Sequence, residues 1–391
     1  MVLLRTFIAA VLLLLLPDIY IYRTYLSGRS RRCRWGYWVP SAALLAGLAA
    51  YMAGPDTWRA TFGTYLVAVF CIAIPKVLFL LADLPLRLVC RWGLCTTRLR
   101  FLIALSVATL GLGYLLYGAI RGKEDFRIRE VTFTSPALPD AFDGYRLAQL
   151  SDLHIGGWKG NEAAVRRAVD LCNGLRPDAI VFTGDLVNSR ATELDGFMPL
   201  LAGLHAPDGV FSVLGNHDYG TYARWSSVRE RQGNLDSLKQ RERQMGWDLL
   251  LNEHRILRRG TDSLVIAGVE NSGRPPFPDL GDLPRALQGA ENAFCILLSH
   301  DPTHWRREVL PQSAVALMLA GHTHDMQISL FGYSASRWFY PEHRGLYLED
   351  GRGLYVNIGL GYALLPLRIG AWPEITLITL KKQQPPRSNN L

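Results

Sequence analysis

Two hydrophobic rhythms divide this chain. Up to residue 120 the apolar runs are long, at residues 7–16, 39–52, 62–81 and 101–120, with short polar connections between them. Beyond residue 120 they shrink to strand length and alternate with stretches whose apolar positions recur every three or four residues. The first rhythm predicts helices, the last two of them about long enough to span a bilayer. The second predicts strands at 146–150, 179–182, 210–214, 263–267, 294–298 and 315–319, with closing strands at 354–358 and 374–380. A helix is expected over 162–175, where Ala164, Val165, Ala168, Val169 and Leu171 form an apolar face, Asn161 stands at the N-cap and Pro177 ends the segment. Strands alternating with helices mark an α/β domain.

The expected organisation is a transmembrane helical region of about four spans (1–120), a juxtamembrane connection with a first strand (121–144), a globular domain (145–382) and a disordered tail (383–391) containing Pro385-Pro386. The first run is short and meets Pro17-Asp18, which with Arg5 also suits a signal peptide. No small-x-small cleavage site follows, so the run reads as a membrane helix continuing to residue 22.

The net charge of +8 changes the picture only through its distribution. Arg23, Arg29, Arg31, Arg32 and Arg34 follow the first run, and Arg87, Arg91, Arg98 and Arg100 fall between the third and fourth, whereas the second connection has only Arg59, balanced by Asp56. This alternation fits cytoplasmic first and third connections, and hence a multi-pass membrane protein with its N-terminus and globular domain on the outer side. The basicity is therefore topological, and no nucleic-acid partner is expected. Of the six cysteines, Cys172 and Cys295 fall in the globular domain, where both read as small buried apolar residues, and no CxxC spacing occurs.

Chemistry concentrates in five polar clusters, each just after a predicted strand: Asp152-Leu153-His154, Gly184-Asp185, Gly215-Asn216-His217-Asp218, His300-Asp301 and Gly321-His322-Thr323-His324. Strand ends converge on one edge of an open α/β sheet, so the clusters are expected to meet. On extended backbone, positions two apart share a side, which would aim Asp152 with His154, and His322 with His324, into one cavity. Carboxylates, imidazoles and one amide without thiolate suit Mn²⁺, Fe²⁺, Zn²⁺ or a similar divalent ion. Two such ions roughly 3.5–4 Å apart would ready a bridging hydroxide for attack on a phosphate ester. His217 is the expected catalytic acid or charge stabiliser, with Asp218 holding its ring. His304 reads as a surface or packing residue, and packing is also the expected role of Trp158, Tyr219, Tyr222, Trp225, Trp338 and Tyr340.

In order and spacing these blocks resemble the D-x-H, G-D, G-N-H-D, H and G-H-x-H motifs of the calcineurin-like metallophosphoesterase superfamily, in particular its bacterial membrane-associated branch. The resemblance implies a four-layer αββα sandwich after the transmembrane region. It implies one metal on Asp152, His154, Asp185 and His324, a second on Asp185, Asn216, His300 and His322, and His217 against the phosphate. Two positions depart from the pattern: Asp325 stands where glycine is common, and is expected to face solvent, and Ile358 where arginine is common. Together these readings describe a membrane-anchored metallophosphoesterase acting on a phosphodiester, pyrophosphate or phosphomonoester, with lipid-linked substrates among the candidates. The alternatives are an enzyme like the UDP-2,3-diacylglucosamine pyrophosphatases and a non-catalytic membrane sensor. Oligomeric state is open.

Overall fold

The computed structural model describes residues 2–53 and 59–383, so the tail beyond Gln383 lies outside the described residues. The chain separates into two compact units, one formed by Met1–Gly122 with Leu364–Ile369, the other by Lys123–Ala363 with Gly370–Leu391.

In the helical unit the four apolar runs form α1 (Val2–Ile21), α2 (Arg31–Ala53), α3 (Arg59–Arg91) and α4 (Thr97–Ile120). Two segments among the described residues, Thr61–Arg91 and Thr97–Glu124, are long and apolar enough to cross a membrane. Two buried carboxylates inside the unit are paired, as an apolar surrounding demands. Asp18 meets Lys76 at 2.7 Å and Asp83 meets Arg100 at 3.0 Å, with Tyr37 donating to Asp18 and Tyr20 to Asp83. Cys90, at the end of α3, and Cys95, just before α4, form a disulfide.

Among the described residues the second unit has fourteen strands: β1 (Arg127–Ser135), β2 (Arg146–Leu150), β3 (Ala179–Phe182), β4 (Val210–Ser212), β5 (Asp248–Leu249), β6 (Glu253–Arg259), β7 (Asp262–Gly268), β8 (Cys295–Leu298), β9 (Leu317–Ala320), β10 (Ser329–Leu330), β11 (Tyr333–Ser334), β12 (Gly345–Glu349), β13 (Arg352–Val356) and β14 (Glu374–Lys382). One six-stranded sheet has the order β1-β14-β2-β3-β4-β5 and the other β12-β13-β9-β8-β7-β6, while β10 and β11 form a separate hairpin. Neighbours β2 to β5 run parallel, as do β7, β8, β9 and β13, with antiparallel β6 and β12 at the edges.

Side-chain alternation explains the layering. Leu147, Ala179 and Val181 of the first sheet pack with Leu264, Ile266, Ile296, Leu298, Leu317 and Leu319 of the second in one core between the sheets. The intervening Ala148, Leu150, Ile180 and Phe182 face outward onto Val165, Ala168, Val169 and Cys172 of the helix Glu162–Gly174. Val265, Ala267, Cys295, Leu297, Met318 and Ala320 face the opposite way, onto Leu283, Ala286, Trp305 and Val309. Helix, sheet, sheet and helix are thus stacked in the expected αββα order. Asn161 precedes its helix as expected but makes no side-chain cap; its amide donates to Glu124 instead, at 2.6 Å.

Candidate metal centre

Residues 151–154 follow β2, 183–188 follow β3, 213–218 follow β4, 299–304 follow β8 and 321–327 follow β9. All five segments leave the carboxyl ends of parallel strands, the edge where α/β sheets collect ligands. They do not continue as extended backbone. Asp152, His154, Asp185, His322 and His324 all lie in the left-handed region, with φ between +46° and +73°. Such backbone is costly away from glycine and persists where surrounding bonds fix it. Here Asp152 N donates to Gly184 O at 2.9 Å and His154 N to Asp185 O at 3.1 Å. The side chains therefore converge through tight turns, not through the pleat that their spacing suggests. Gly184 is needed at its turn because a Cβ would stand 2.6 Å from Gly215 N and 2.7 Å from His300 Nδ1.

The turns bring together Asp152, His154, Asp185, Asn216, His300, His322 and His324. On one side His154 and His324 face each other with Nε2 atoms 3.0 Å apart, and His324 Nε2 is 3.3 Å from Asp152 Oδ1. On the other, Asn216 Oδ1 is 2.7 Å from His322 Nδ1 and 3.2 Å from His300 Nε2. Asp185 stands between the two, with Oδ2 3.7 Å from His154 Nε2 and 3.3 Å from His300 Nε2. Donor atoms lie within 4.8 Å of one another in three sets: Asp152 with His154 and His324, Asp185 with His300 and His322, and His154 with Asp185 and His217.

Burial alone would keep both carboxyls protonated, yet the imidazoles overcome it. His324 and His300 hold Asp152 below the ordinary carboxylate range, and His300, His217 and His154 hold Asp185 there. Burial likewise opposes a proton on His300, but Asp185 and Asp152 raise it to about 10. Burial and the charge of His217 push His154 well down, and burial does the same to His322. The field of two buried anions therefore demands a cation among these rings. His154 Nδ1 is buried without a hydrogen-bond partner, and the 3.0 Å between the facing Nε2 atoms is bridged by an N–H···N bond when one ring carries its proton there, or by a cation held between them. Clustered oxygen and imidazole donors around two buried carboxylates fit divalent ions of the borderline class.

His217 projects into the same space. Its backbone N–H donates to Asp185 Oδ1 at 2.8 Å, and its Nδ1–H is anchored by the Asn188 carbonyl at 2.8 Å, leaving Nε2 as the working nitrogen. The expected contact between Asp218 and this ring is not made. Asp218 instead accepts the N–H groups of Asp185, Leu186, Val187 and Gly215 at 2.8–3.1 Å, so it shapes the backbone that carries Asp185. Burial and the Asp185 charge push Asp218 up to about 7, against the pull of the Gly215 and Val187 N–H groups. Asp325 does not face solvent either: it is buried and paired with Arg344 at 3.1 Å, because the turn after His324 folds it inward. His304 is a buried packing residue held by Ser299 and Glu308.

Two of the aromatics expected to pack do more. Tyr222 Oη accepts from Asn216 Nδ2 at 2.8 Å, which turns Oδ1 toward the imidazoles, and its ring stacks on His217 with centroids 4.1 Å apart. Tyr340 Oη lies 2.9 Å from His322 Nε2. The sequence signals for both are weak: a tyrosine four residues after Asp218, and one near the end of a loop of exposed aromatics.

Residues 145–326 match the family model described as "Calcineurin-like phosphoesterase", and residues 4–123 that described as "Probable Calcineurin-like phosphoesterase, transmembrane domain". The chain is 33% identical over 293 residues to "Uncharacterized metallophosphoesterase YkuE" of Bacillus subtilis, covering 71% of this chain and 93% of that one. It is 30% identical over 273 residues to "Uncharacterized metallophosphoesterase" of Aquifex aeolicus, covering 68% and 97%. The "Transmembrane protein with metallophosphoesterase domain" of Danio rerio is 29% identical over 277 residues, covering 68% of this chain and 60% of that one. With these motifs on converging strand ends and these relatives, the chain belongs to the calcineurin-like phosphoesterases, metal-dependent hydrolases of phosphoric esters, and carries a transmembrane domain besides.

Proposed function

We propose that the protein hydrolyses a phosphodiester, pyrophosphate or phosphomonoester, lipid-linked substrates included, with two divalent ions. Asp152, His154, Asp185 and His324 would hold one, and Asp185, Asn216, His300 and His322 the other. The observation that carries this reading is the place of Asp185, whose Oδ2 is flanked by His154 and His300 from the two donor groups. Two bound ions would lower the pKa of coordinated water and clamp phosphoryl oxygens. The chain's own residues do the rest. His217, fixed through Nδ1, turns Nε2 toward the donor cluster, where its protonated form can stabilise developing charge or give a proton to the leaving alkoxide. Asp218 fixes the turn that presents Asp185, acting as a positioning residue.

Purified full-length protein with Mn²⁺ should cleave an aryl phosphodiester and bind two ions per chain. Asp185→Asn should lower turnover by more than the ~10–100-fold that accompanies loss of an outer-shell partner, because both ion sites share this carboxylate. Equal turnover by the variant would remove the two-ion mechanism, and two bound ions without turnover on lipid, nucleotide or sugar phosphates would favour a sensor.

The arginine-rich first and third connections support a domain facing the periplasm of a bacterial cytoplasmic membrane. One observation favours the reverse. Cys90 and Cys95 form a disulfide in the third connection, and disulfides belong to oxidising compartments. The reversed orientation would expose the centre to the cytoplasmic leaflet and to a UDP-linked diacylglucosamine. The arginines supply the leading reading because they act on insertion itself, whereas cysteines this close can also remain a dithiol in a reducing compartment.

A further inference from the structure

The loop that follows His324 ends in an exposed aromatic hairpin. β10 and β11 pair through a turn at Phe331 and Gly332, and the helical turn Ala335–Trp338 follows. Phe331 is 100% exposed and Trp338 80%, with Leu330, Tyr333 and Phe339 also largely open. Phe331 has φ +52°, so a bulky side chain is held in a costly conformation as well as in a costly environment. Arg337 sits over the Tyr333 ring at 5.3 Å.

The base of this hairpin is fixed. Ser334 Oγ donates to Asp325 O at 2.6 Å, and Arg344 reaches both Asp325 Oδ2 and Ser329 Oγ. Farther along, Tyr340 returns to His322. The tip is therefore apolar and unpaired while the root is continuous with the donor cluster.

Chain connectivity says what covers the tip. The chain passes at Ala363 into Leu364–Ile369, which belong to the helical unit, and returns at Gly370. Both crossing points lie against the hairpin's root: Ala363 N donates to Gln327 Oε1 at 2.6 Å, and Gly370 (φ +69°) runs so close that any Cβ on it would strike the Ser329 carbonyl. The connection from α4 to β1, residues 121–126, reaches at most about 20 Å, so β1 begins within that distance of the end of α4. Exposed Trp, Tyr, Phe and Leu beside Arg337 and Arg344 is also the mixture that partitions into the headgroup boundary. We propose that the hairpin around Phe331, Tyr333, Trp338 and Phe339 is a second membrane contact, seated in the interfacial layer of the bilayer that carries the transmembrane domain. It holds the loop bearing His322 and His324 at the depth where lipid phosphates lie. The contact is independent of turnover, so its test is separable from that of the phosphoesterase reading.

Full-length protein is placed in nanodiscs of phosphatidylcholine and phosphatidylglycerol, with acyl chains brominated near the headgroup or near the bilayer centre. Trp338 emission is isolated by subtracting Trp338→Phe from the unsubstituted protein, a mild change at an exposed position. Shallow bromines should quench that difference emission at least twofold and deep ones much less. Phe331→Asp should abolish the quenching while the melting temperature and the number of ions bound stay those of the unsubstituted protein, which shows that the variant has folded. Difference emission untouched by either lipid would overturn the proposal. A blue-shifted, unquenched emission that changes between one and two chains per disc would replace the bilayer with a second copy of the chain, and so overturn it too.

Discussion

Single residues make the donor cluster legible and its support illegible. The seven proposed ligands stand out because each stands in a short polar block at a strand end, three of the five blocks opening on a glycine. Asp218 and Tyr222 escape the same logic: Asp218 meets residues 185–187, remote in sequence, and Tyr222, only six residues from Asn216, meets its amide nitrogen through a loop that no periodicity marks. Tyr222 carries a specific prediction. Tyr222→Phe keeps the ring over His217 but removes the acceptor that orients Asn216, so Oδ1 is no longer held toward His300 and His322. Affinity for the second metal equivalent should fall by about 10–100-fold while the first is retained. Calorimetric titration of metal-free protein reads both steps. Two unchanged steps would show that Tyr222 only packs.

At the scale of elements, periodicity located the central strands within a few residues because each alternates between two apolar layers, as Ile180 and Val181 do. The edges were harder. β6, with the sequence Glu-His-Arg-Ile-Leu-Arg-Arg, pairs on one side only, and its alternation is submerged in charge. The buried carboxylate on the helix Val228–Gln244 was equally invisible, because helical spacing does not announce that Glu242 faces Ser212 of β4 at 2.6 Å. Burial, reinforced by the charge of Asp218, pushes Glu242 from 4.5 up to about 8. Between these values the unfolded chain has released a proton that the folded protein keeps. The folded state therefore loses stability as pH rises through that window and levels off above it. Glu242→Gln is uncharged throughout and escapes this loss. Its melting temperature relative to the unsubstituted protein should climb between about pH 5 and pH 8 by several degrees, then stay constant. A difference that does not vary with pH would mean that Glu242 is ionised in the fold.

For the whole molecule, the sequence announces a membrane region by its apolar runs and a catalytic domain by its polar blocks, but it hides how the chain is shared between them. Nothing in the pattern marks Leu364–Ile369 as part of the helical unit, because six residues are too few to show a period and their assignment follows from tertiary packing. Orientation is the property on which substrate access turns. Two signals oppose each other: nine arginines concentrate in the first and third connections, while Cys90–Cys95 bridges the third. Because α4 leads from the third connection to β1, one crossing by α4 puts the disulfide and the catalytic domain on opposite sides of the bilayer. Alkaline phosphatase fused after Leu391 should therefore be active in cells and a fluorescent protein at the same point dark. A membrane-impermeant maleimide should label Cys33, exposed in the arginine-rich first connection, only after the cells are permeabilised. Cys90 and Cys95 should then be found as thiols in rapidly acid-quenched cells, since their side is kept reduced. The opposite set of results, a fluorescent fusion with Cys33 labelled in intact cells and Cys90–Cys95 oxidised, would reverse the orientation. It would also direct the search for substrate to phosphoesters of the cytoplasmic leaflet.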